Sequence, residues 1–326
     1  MPIRVPGEWE KQEYIILVYP DINSDWKHSI EEIKHSYKKL IKIIQKYQKC
    51  IILYKNKEDL SSSLSSLTNV QLVKIETNDT WIRDFGGICI YDDDKLKILN
   101  FKFNAWGDKF EYALDNKVNH KLKNLEIYDN LEDVNFVLEG GSIDSNGNNV
   151  MLTTAKCIFN KNRNPSFSKK EIIKNIKQLF GLEELIILEH GKLIGDDTDA
   201  HIDTLARFID KNTIAYVKCY DKNDPHFEEL KQMENELIQS KYNLLPLPLP
   251  SSIYFEKDRL PATYLNFVFI NDALIVPTYK DKNDKIVLKI LQNFFPNRDV
   301  IGVDASIFIR EHGSLHCATM NYFLST

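Results

Sequence analysis

The sequence has no surplus of basic residues, no long apolar run and no signal-like leader. Its 42 lysines and arginines against 47 aspartates and glutamates give a formal net charge of −5, without the positive excess typical of nucleic-acid-binding proteins. Apolar runs such as YIILVYP fall far below the roughly 20 residues of a membrane-spanning helix, and the N-terminal segment lacks the cationic and apolar regions of a signal peptide. We therefore expect a cytoplasmic protein with neither nucleic-acid nor membrane partners.

The cysteines also lack the pairing expected of a disulfide framework. Five is an odd number, and no CxxC pair is present, which is typical of a protein in a reducing compartment. Four of them, Cys50, Cys89, Cys157 and Cys219, lie in or beside apolar segments, and we interpret these as small buried hydrophobic residues. Cys317, in EHGSLHCATM, has a different setting at the start of the last predicted strand.

Strand, turn and helix patterns repeat along the chain. Four segments combine two apolar strands with a polar turn of hairpin composition, and they cover 87–101, 141–154, 205–219 and 266–279. Most continue into an amphipathic helix and another apolar strand. In 168–181, for example, Ser168 and Glu171 predict a capping box and Gly181 predicts the helix end. The N-terminal region shows the same order without its hairpin, which the C-terminal strand would complete.

This repeat predicts an α/β fold in the form of a fivefold pseudosymmetric propeller of ββαβ modules, closed by the C-terminal strand. A closed ring leaves no sheet with a large exposed edge. No low-complexity linker divides the 326 residues, so we expect a single catalytic domain over 1–326. A plain mixed α/β sandwich is the alternative.

Polar motifs fall at equivalent positions of the predicted repeat. WIRD (81–84), LEGG (138–141) and DDTDAHID (196–203) each precede a hairpin, and Cys317 precedes the closing strand. Equivalent positions of a ring meet at one end of its axis. We therefore expect five side chains to converge, namely Asp84, Glu139, His201, Asp203 and Cys317.

A thiol, an imidazole and several carboxylates suit one particular chemistry. Carboxylates attract a cation, and a guanidinium offers five N–H donors that two carboxylates bind in parallel. A thiolate can attack its central carbon, a histidine can protonate the departing ammonia, and water can then hydrolyse the amidino-thioether. Because a thiol with an ordinary pKa of about 8.5 is mostly protonated at neutral pH, the histidine or the bound cation must activate it. The residues predict guanidine deimination without a cofactor.

The ordered motifs resemble the guanidine-modifying superfamily, in particular its agmatine deiminase branch, which is related to bacterial peptidylarginine deiminases. The resemblance runs from GEW (7–9) to the C-terminus and is carried by WIRD (81–84), LEGGSI (138–143), RNP (163–165), HIDTLARF (201–208) and HC (316–317). It implies a fivefold propeller, a site without cofactor or metal, and a homodimer. Two segments depart from the family pattern: EHGSL (311–315) replaces a glycine run, and Ala200 replaces a common glycine.

The resemblance also implies a role for each site residue. The implied catalytic residues are Cys317 as nucleophile, His201 for proton transfer, and Asp84 and Asp203 for guanidinium binding; the implied substrate-binding residues are Trp81, Glu139 and Asp197.

The acidic stretch before His201 indicates the substrate. Between Asp196 and Asp203 no basic residue is present to neutralise the α-carboxylate of free arginine, and the resemblance places Asp197 opposite a substrate amine. We therefore expect agmatine as the small cationic substrate, with N-carbamoylputrescine and ammonia as products. Deimination of peptidylarginine or free arginine, and transfer of the amidino group to an amine, remain alternatives.

Two further interpretations belong to other classes. Imidazole and carboxylate also bind zinc, iron or manganese, so His201, Asp203 and Asp197 could form a metal site, although no HxH or HExxH spacing supports one. A propeller that only binds a partner is the non-enzymatic alternative. Such a ring has no need of a thiol, an imidazole and two acids together.

Overall fold

Short strands alternate with helices throughout the protein. The computed structural model describes residues 3–60 and 64–325. Its strands are β1 Gln12–Val18, β2 Lys49–Tyr54, β3 Val70–Lys74, β4 Ile88–Asp92, β5 Lys95–Lys102, β6 Leu131–Val137, β7 Ile143–Ser145, β8 Val150–Thr154, β9 Glu184–Leu188, β10 Ala206–Asp210, β11 Thr213–Lys218, β12 Asn243–Pro248, β13 Tyr254–Phe255, β14 Asp258–Arg259, β15 Val268–Ile270, β16 Ala273–Thr278, β17 Asp299–Asp304 and β18 Thr319–Phe323.

The helices are mostly short, and several are single turns. The α-helices are α1 Ile30–Ile44, α2 Ile82–Phe85, α3 Ala105–Asp108, α4 Val118–Asn124, α5 Ala155–Ile158, α6 Lys169–Phe180, α7 Phe227–Ile238 and α8 Asp284–Phe294. Single 3-10 turns lie at Asp25–His28, Lys57–Asp59, Asp115–Lys117, Gly140–Ser142, Ile202–Thr204 and Phe308–Glu311. Over 3–60 and 64–325, no helix has the length and apolar character needed to cross a lipid bilayer.

Five sheets of the described chain share one pairing pattern. In four of them an antiparallel pair is extended by a parallel strand, in the orders β4-β5-β6, β7-β8-β9, β10-β11-β12 and β15-β16-β17. In the fifth, β18 pairs antiparallel with β1, and β2 and β3 follow in parallel. The four predicted hairpins and the pairing of the C-terminal strand with the N-terminal module are confirmed. The structure is therefore a mixed α/β fold of several small sheets.

The core lies between these sheets and the longer helices. Ile15, Ile16 and Leu17 of β1 are fully buried, as expected for a strand covered on both faces. Helix α6 has the predicted boundaries. The Ser168 hydroxyl oxygen accepts a hydrogen bond from the Glu171 amide at 3.3 Å, and Glu171 accepts one from the Ser168 amide at 2.8 Å. Gly181 ends the helix in the left-handed conformation, with φ of 62°.

Each polar motif of the sequence forms a tight turn directly before the first strand of a sheet. Helix α2 precedes β4, the turn Gly140–Ser142 precedes β7, and the turn Ile202–Thr204 precedes β10. The middle turn contacts both of the others. Residues far apart in sequence therefore meet because they occupy the same position in neighbouring modules.

The capping box of α6, formed by Ser168 and Glu171, can be tested by mutation. Replacing Ser168 with alanine removes the acceptor for the Glu171 amide, so we expect the free energy of unfolding to fall by about 1 kcal/mol. Urea unfolding would measure it, with the exposed Lys170→Ala as a control expected to change stability by less than about 0.5 kcal/mol. Equal stability of Ser168→Ala and the parent protein would contradict the assigned cap.

Candidate active site

Three of the predicted side chains meet around Gly141. The Gly141 amide donates a hydrogen bond to Asp84 Oδ1 at 2.9 Å. A Cβ atom at this position would lie 2.7 Å from His201 Nδ1, 2.9 Å from Asp84 Oδ1 and 3.1 Å from Asp203 Oδ2. Only glycine leaves room for this approach, so Gly141 is the point at which Asp84, His201 and Asp203 converge.

The thiol of Cys317 joins this group from the turn directly before β18. Its sulfur lies 3.9 Å from Asp203 Oδ2 and 3.5 Å from Asn266 Oδ1. The backbone carbonyl of Cys317 accepts a hydrogen bond from the Arg83 amide at 3.1 Å, which ties it to α2. Burial, followed by the charges of Asp203 and Asp84, raises the pKa of the thiol well above its ordinary value. Without a bound cation, Cys317 is therefore protonated at neutral pH.

A cavity of about 240 Å³ opens above the Cys317 sulfur. Its lining includes the aromatic side chains Trp81, Trp106 and Phe110 and the carboxylates of Asp25, Asp79, Asp84, Asp197 and Glu311. In the described part of the chain, neither lysine nor arginine contributes to this lining. The cavity is thus predominantly acidic and suits a cation, and His312 is the one basic side chain of its described lining.

Burial, with smaller contributions from neighbouring charges, raises the pKa values of three acids in this cavity, Glu311, Asp79 and Asp197. Burial, with the charge of Asp25, raises the pKa of Glu311 to about 6. Burial also raises the pKa of Asp79 to about 7. The charges of Asp25 and Asp197 act in the same direction, and two backbone hydrogen bonds oppose them. Burial likewise raises the pKa of Asp197, although the neighbouring His312 opposes it. A bound cation would favour ionisation of all these acids.

His201 has an almost completely buried ring, and like Asp203 it does not contribute to the described lining of the cavity. Its Nδ1 is 3.6 Å from Asp84 Oδ1, and neither ring nitrogen has a hydrogen-bond partner among the described residues. Burial opposes its charge, but the facing acids, Asp84 above all, raise the pKa of His201 well above its ordinary value. The ring is therefore an imidazolium with protons to donate. Asp203 Oδ1 likewise has no partner within residues 3–60 and 64–325, and it is an open acceptor beside the thiol.

Glu139 lies behind His201 and not in the cavity lining. Both of its carboxylate oxygens accept from Arg163 Nε, at 2.8 and 3.0 Å. Arg163 also donates to Asp199 Oδ2 at 2.8 Å and to the Thr198 carbonyl at 2.9 Å. Arg163, from the RNP motif, therefore fixes both Glu139 and the loop that leads to His201.

Cys157 is a neighbour of His201 that the sequence did not reveal. Its sulfur, one ring nitrogen of His201 and a carboxylate oxygen of Glu139 lie within 4.8 Å of one another. The interpretation of Cys157 as a small buried residue is right about burial, since it is fully buried, but wrong about its apolar surroundings. Thr154 caps the turn that carries it and also donates to the Ala200 carbonyl at 2.7 Å, which places Cys157 beside the His201 loop.

Comparison with known proteins identifies the family. The family model described as Porphyromonas-type peptidyl-arginine deiminase matches residues 4–322. The chain belongs to this family. A solved cysteine-to-serine variant of the agmatine deiminase of C. jejuni, with substrate bound, is similar to it at 50% identity and a TM-score of 0.97, covering 99% of this chain and 97% of that one. A second structure of the C. jejuni agmatine deiminase is similar at 49% identity and a TM-score of 0.95, with the same coverage of both chains.

A more distant likeness concerns the fold alone. DDAH from Pseudomonas aeruginosa aligns with a TM-score of 0.55 at 12% identity, covering 96% of this chain and 100% of that one. The mixed α/β arrangement of small sheets is thus the fold of the guanidine-modifying enzymes.

At both departures from the family pattern, the backbone adopts a conformation that favours glycine. Ala200 has φ of 68° and His312 has φ of 64°, both in the left-handed region that glycine adopts freely. Gly313 is retained where a Cβ would lie 2.6 Å from the Trp81 ring. The segment EHGSL therefore keeps the wall against Trp81 and adds the carboxylate of Glu311 to the cavity.

The two cysteines near His201 differ in access, which a labelling experiment can test. A cationic haloacetamidine should enter the acidic cavity and alkylate Cys317 alone, because Cys157 is fully buried and absent from the described lining. Peptide mass spectrometry would identify the labelled cysteine, with Cys157→Ser as the matched control that keeps full labelling. Labelling that persists in Cys317→Ser would assign the reactive thiol elsewhere.

The cluster of Glu139, Cys157 and His201 resembles a metal-ligand set, but its surroundings disfavour a metal. The guanidinium of Arg163 already binds both oxygens of Glu139, so a metal ion would have to displace or approach this positive charge. Dialysis against a chelator should therefore leave turnover unchanged, and elemental analysis should find no stoichiometric transition metal. Loss of activity on dialysis, restored by one metal, would contradict this reading.

Proposed function

We propose that this protein is an agmatine deiminase that hydrolyses agmatine to N-carbamoylputrescine and ammonia through a covalent intermediate on Cys317. The observation that carries the proposal is the cavity above Cys317. Its described lining combines five carboxylates with no lysine or arginine. Family membership and the substrate-bound C. jejuni agmatine deiminase variant support it.

In this proposal Asp84 and Asp203 bind the guanidinium. Asp84 is held rigidly, because Trp106 Nε1 donates to Oδ2 at 2.9 Å and the Gly141 amide donates to Oδ1 at 2.9 Å. Asp203 has the open acceptor Oδ1. A planar cation between them would place its central carbon near the Cys317 sulfur. Trp81 provides an aromatic wall, and Asp197 with Glu311 provides acids for the distal ammonium.

The reaction then follows from the charges. Entry of the cation lowers the pKa of Cys317, whose raised value comes from burial and the neighbouring carboxylates, and the thiol then releases its proton to water. The thiolate attacks the guanidinium carbon, and the His201 imidazolium gives a proton to the nitrogen that leaves as ammonia. Neutral His201 next takes a proton from water, the resulting hydroxide attacks the amidino-thioether carbon, and the C–S bond breaks to release the ureido product and the thiolate.

Glu139 and Cys157 act on His201 in this scheme. Both face the ring from behind and raise its pKa, and Arg163 holds Glu139 in place. The substrate-binding role that the resemblance implies for Glu139 would then be indirect, because this residue contacts the proton-transfer group.

The architecture and assembly complete the proposal. Five sheets with one pairing pattern, joined through β18 and β1, support a fivefold pseudosymmetric propeller in a single domain over 1–326. A homodimer and a cytoplasmic location stay predictions from the sequence.

A comparison of substrates tests the assignment. Ammonia release should show the highest kcat/KM for agmatine, because free arginine brings a carboxylate into an acidic cavity and an internal arginine lacks a distal ammonium. All three substrates can be assayed under one condition. A higher kcat/KM for free arginine or the peptide would reject agmatine while leaving the thiol chemistry intact.

The distal acid gives a second test. Asp197→Asn removes a charge opposite the substrate ammonium, so KM for agmatine should rise more than kcat falls, as expected for loss of uniform binding. The exposed Asp258→Asn, which lies outside the cavity lining, should leave both constants unchanged. A fall in kcat alone for Asp197→Asn would place this carboxylate in the chemical step.

A further inference from the structure

Glu8, in the N-terminal GEW segment, lies behind the candidate active site, on the far side of Asp203 from the cavity. Its Oε2 is 2.7 Å from His316 Nε2 and 2.6 Å from a terminal nitrogen of Arg207. Its Oε1 accepts from the Phe269 amide at 2.8 Å. The N-terminal segment thus reaches residues more than 190 positions away in sequence, and one of them adjoins the thiol.

His316 connects Glu8 to the site. Its Nδ1 lies 2.7 Å from Asp203 Oδ2, so each ring nitrogen faces a different carboxylate at hydrogen-bond distance. A neutral imidazole has one N–H, whereas an imidazolium can donate to both carboxylates. The side chain is 3% exposed, and its amide is held by Asn266 Oδ1 at 2.9 Å. The ring therefore has little freedom to turn away from either partner.

We propose that Glu8 is a positioning residue: it holds the His316 ring between two carboxylates, and His316 in turn fixes the Asp203 carboxylate beside Cys317. The inference rests on the proposed deimination, in which Asp203 binds the substrate cation. In this inference, the N-terminal segment contributes a residue that positions an active-site carboxylate.

The surrounding charges alternate in a way that supports this role. Arg207 contacts Asp144 at 2.9 Å on one side and Glu8 at 2.6 Å on the other. From Glu8 the chain of contacts continues through His316 to Asp203. Arg83 also approaches Glu8, at 4.0 Å, and His201, Asp84 and Cys317 face Asp203 from the cavity side. Neutralising Glu8 would leave the His316 ring near two guanidinium groups without its second carboxylate.

The ionisation of the two acids agrees with the geometry. Burial would raise the pKa of Asp203, but the hydrogen bond and charge of His316 lower it below its ordinary value. Burial likewise opposes the charge of Glu8, and Arg207 and His316 outweigh it, so the pKa of Glu8 is lowered. Weakening of the hydrogen bond between His316 and Asp203 would therefore raise the pKa of Asp203, and the acid limb of kcat/KM would move to higher pH.

Glu8→Gln is the direct test, because glutamine keeps the size and one acceptor oxygen but removes the charge. We expect kcat/KM for agmatine to fall about tenfold or more, a usual effect of removing a partner that orients a reacting group, and its acid limb to move to higher pH. Glu10→Gln is the matched control. Glu10 lies two residues away and pairs with Arg4 at 2.8 Å, so its loss should leave the pH profile unchanged.

Ring ¹⁵N spectra of histidine give a readout that needs no turnover. In the parent protein both ring nitrogens of His316 should show the chemical shifts of hydrogen-bonded sites, and in Glu8→Gln the Nε2 signal should move because its carboxylate partner is lost. His316→Gln identifies the signal and, if Glu8→Gln does not fold, provides the same test through its acid limb. Combined with Glu8→Gln it should cost little more than either single change, because both act through one path.

Each outcome bears on a different claim. Unchanged ring ¹⁵N shifts and an unchanged acid limb in Glu8→Gln would overturn the inference, as would lower activity and thermal stability with an unshifted acid limb, which is the mark of a purely structural role. Failure of the parent protein to release ammonia from agmatine would instead reject the proposed function, while the ring spectra would still test the link between Glu8 and His316.

Discussion

The buried carboxylates around Cys317 are the constraint on which the rest of the site depends. An unpaired charge in the protein interior is costly, so each buried acid needs a partner. The protein supplies partners from behind: Arg163 binds Glu139, and His316 binds Asp203. The described lining of the cavity offers no lysine or arginine. Asp203 Oδ1 has no hydrogen-bond partner among the described residues. Binding a cation would thus satisfy the acids and, in the proposed reaction, activate the thiol in one step.

The repeated fold explains how these groups come together without a continuous motif. Each sheet begins with an antiparallel strand, and the turn directly before that strand points its side chains to a common region. The close packing there requires unusual backbone at a few positions. Gly141 leaves room for three polar side chains, and Ala200 holds a left-handed conformation beside His201. The geometry of the loops is therefore kept even where the sequence departs from glycine.

Much of this arrangement could be predicted from the sequence, because hairpins and capped helices have strong local signals. The meeting of Asp84, His201 and Asp203 followed from their equivalent positions in the repeat. Strands β3 and β6 were missed, since most of their side chains are partly exposed and show no clear alternation. Cys157 and Glu8 gave no local signal of function. Their positions depend on packing between distant segments, which only the three-dimensional structure specifies.

The central claim is that Cys317 becomes covalently bonded to the guanidinium carbon during turnover. Acid quenching of the protein during steady-state reaction with agmatine, followed by peptide mass spectrometry, tests this most directly. The account predicts an adduct on the Cys317 peptide equal in mass to agmatine minus ammonia. An adduct on Cys157, or steady turnover by Cys317→Ser, would contradict it.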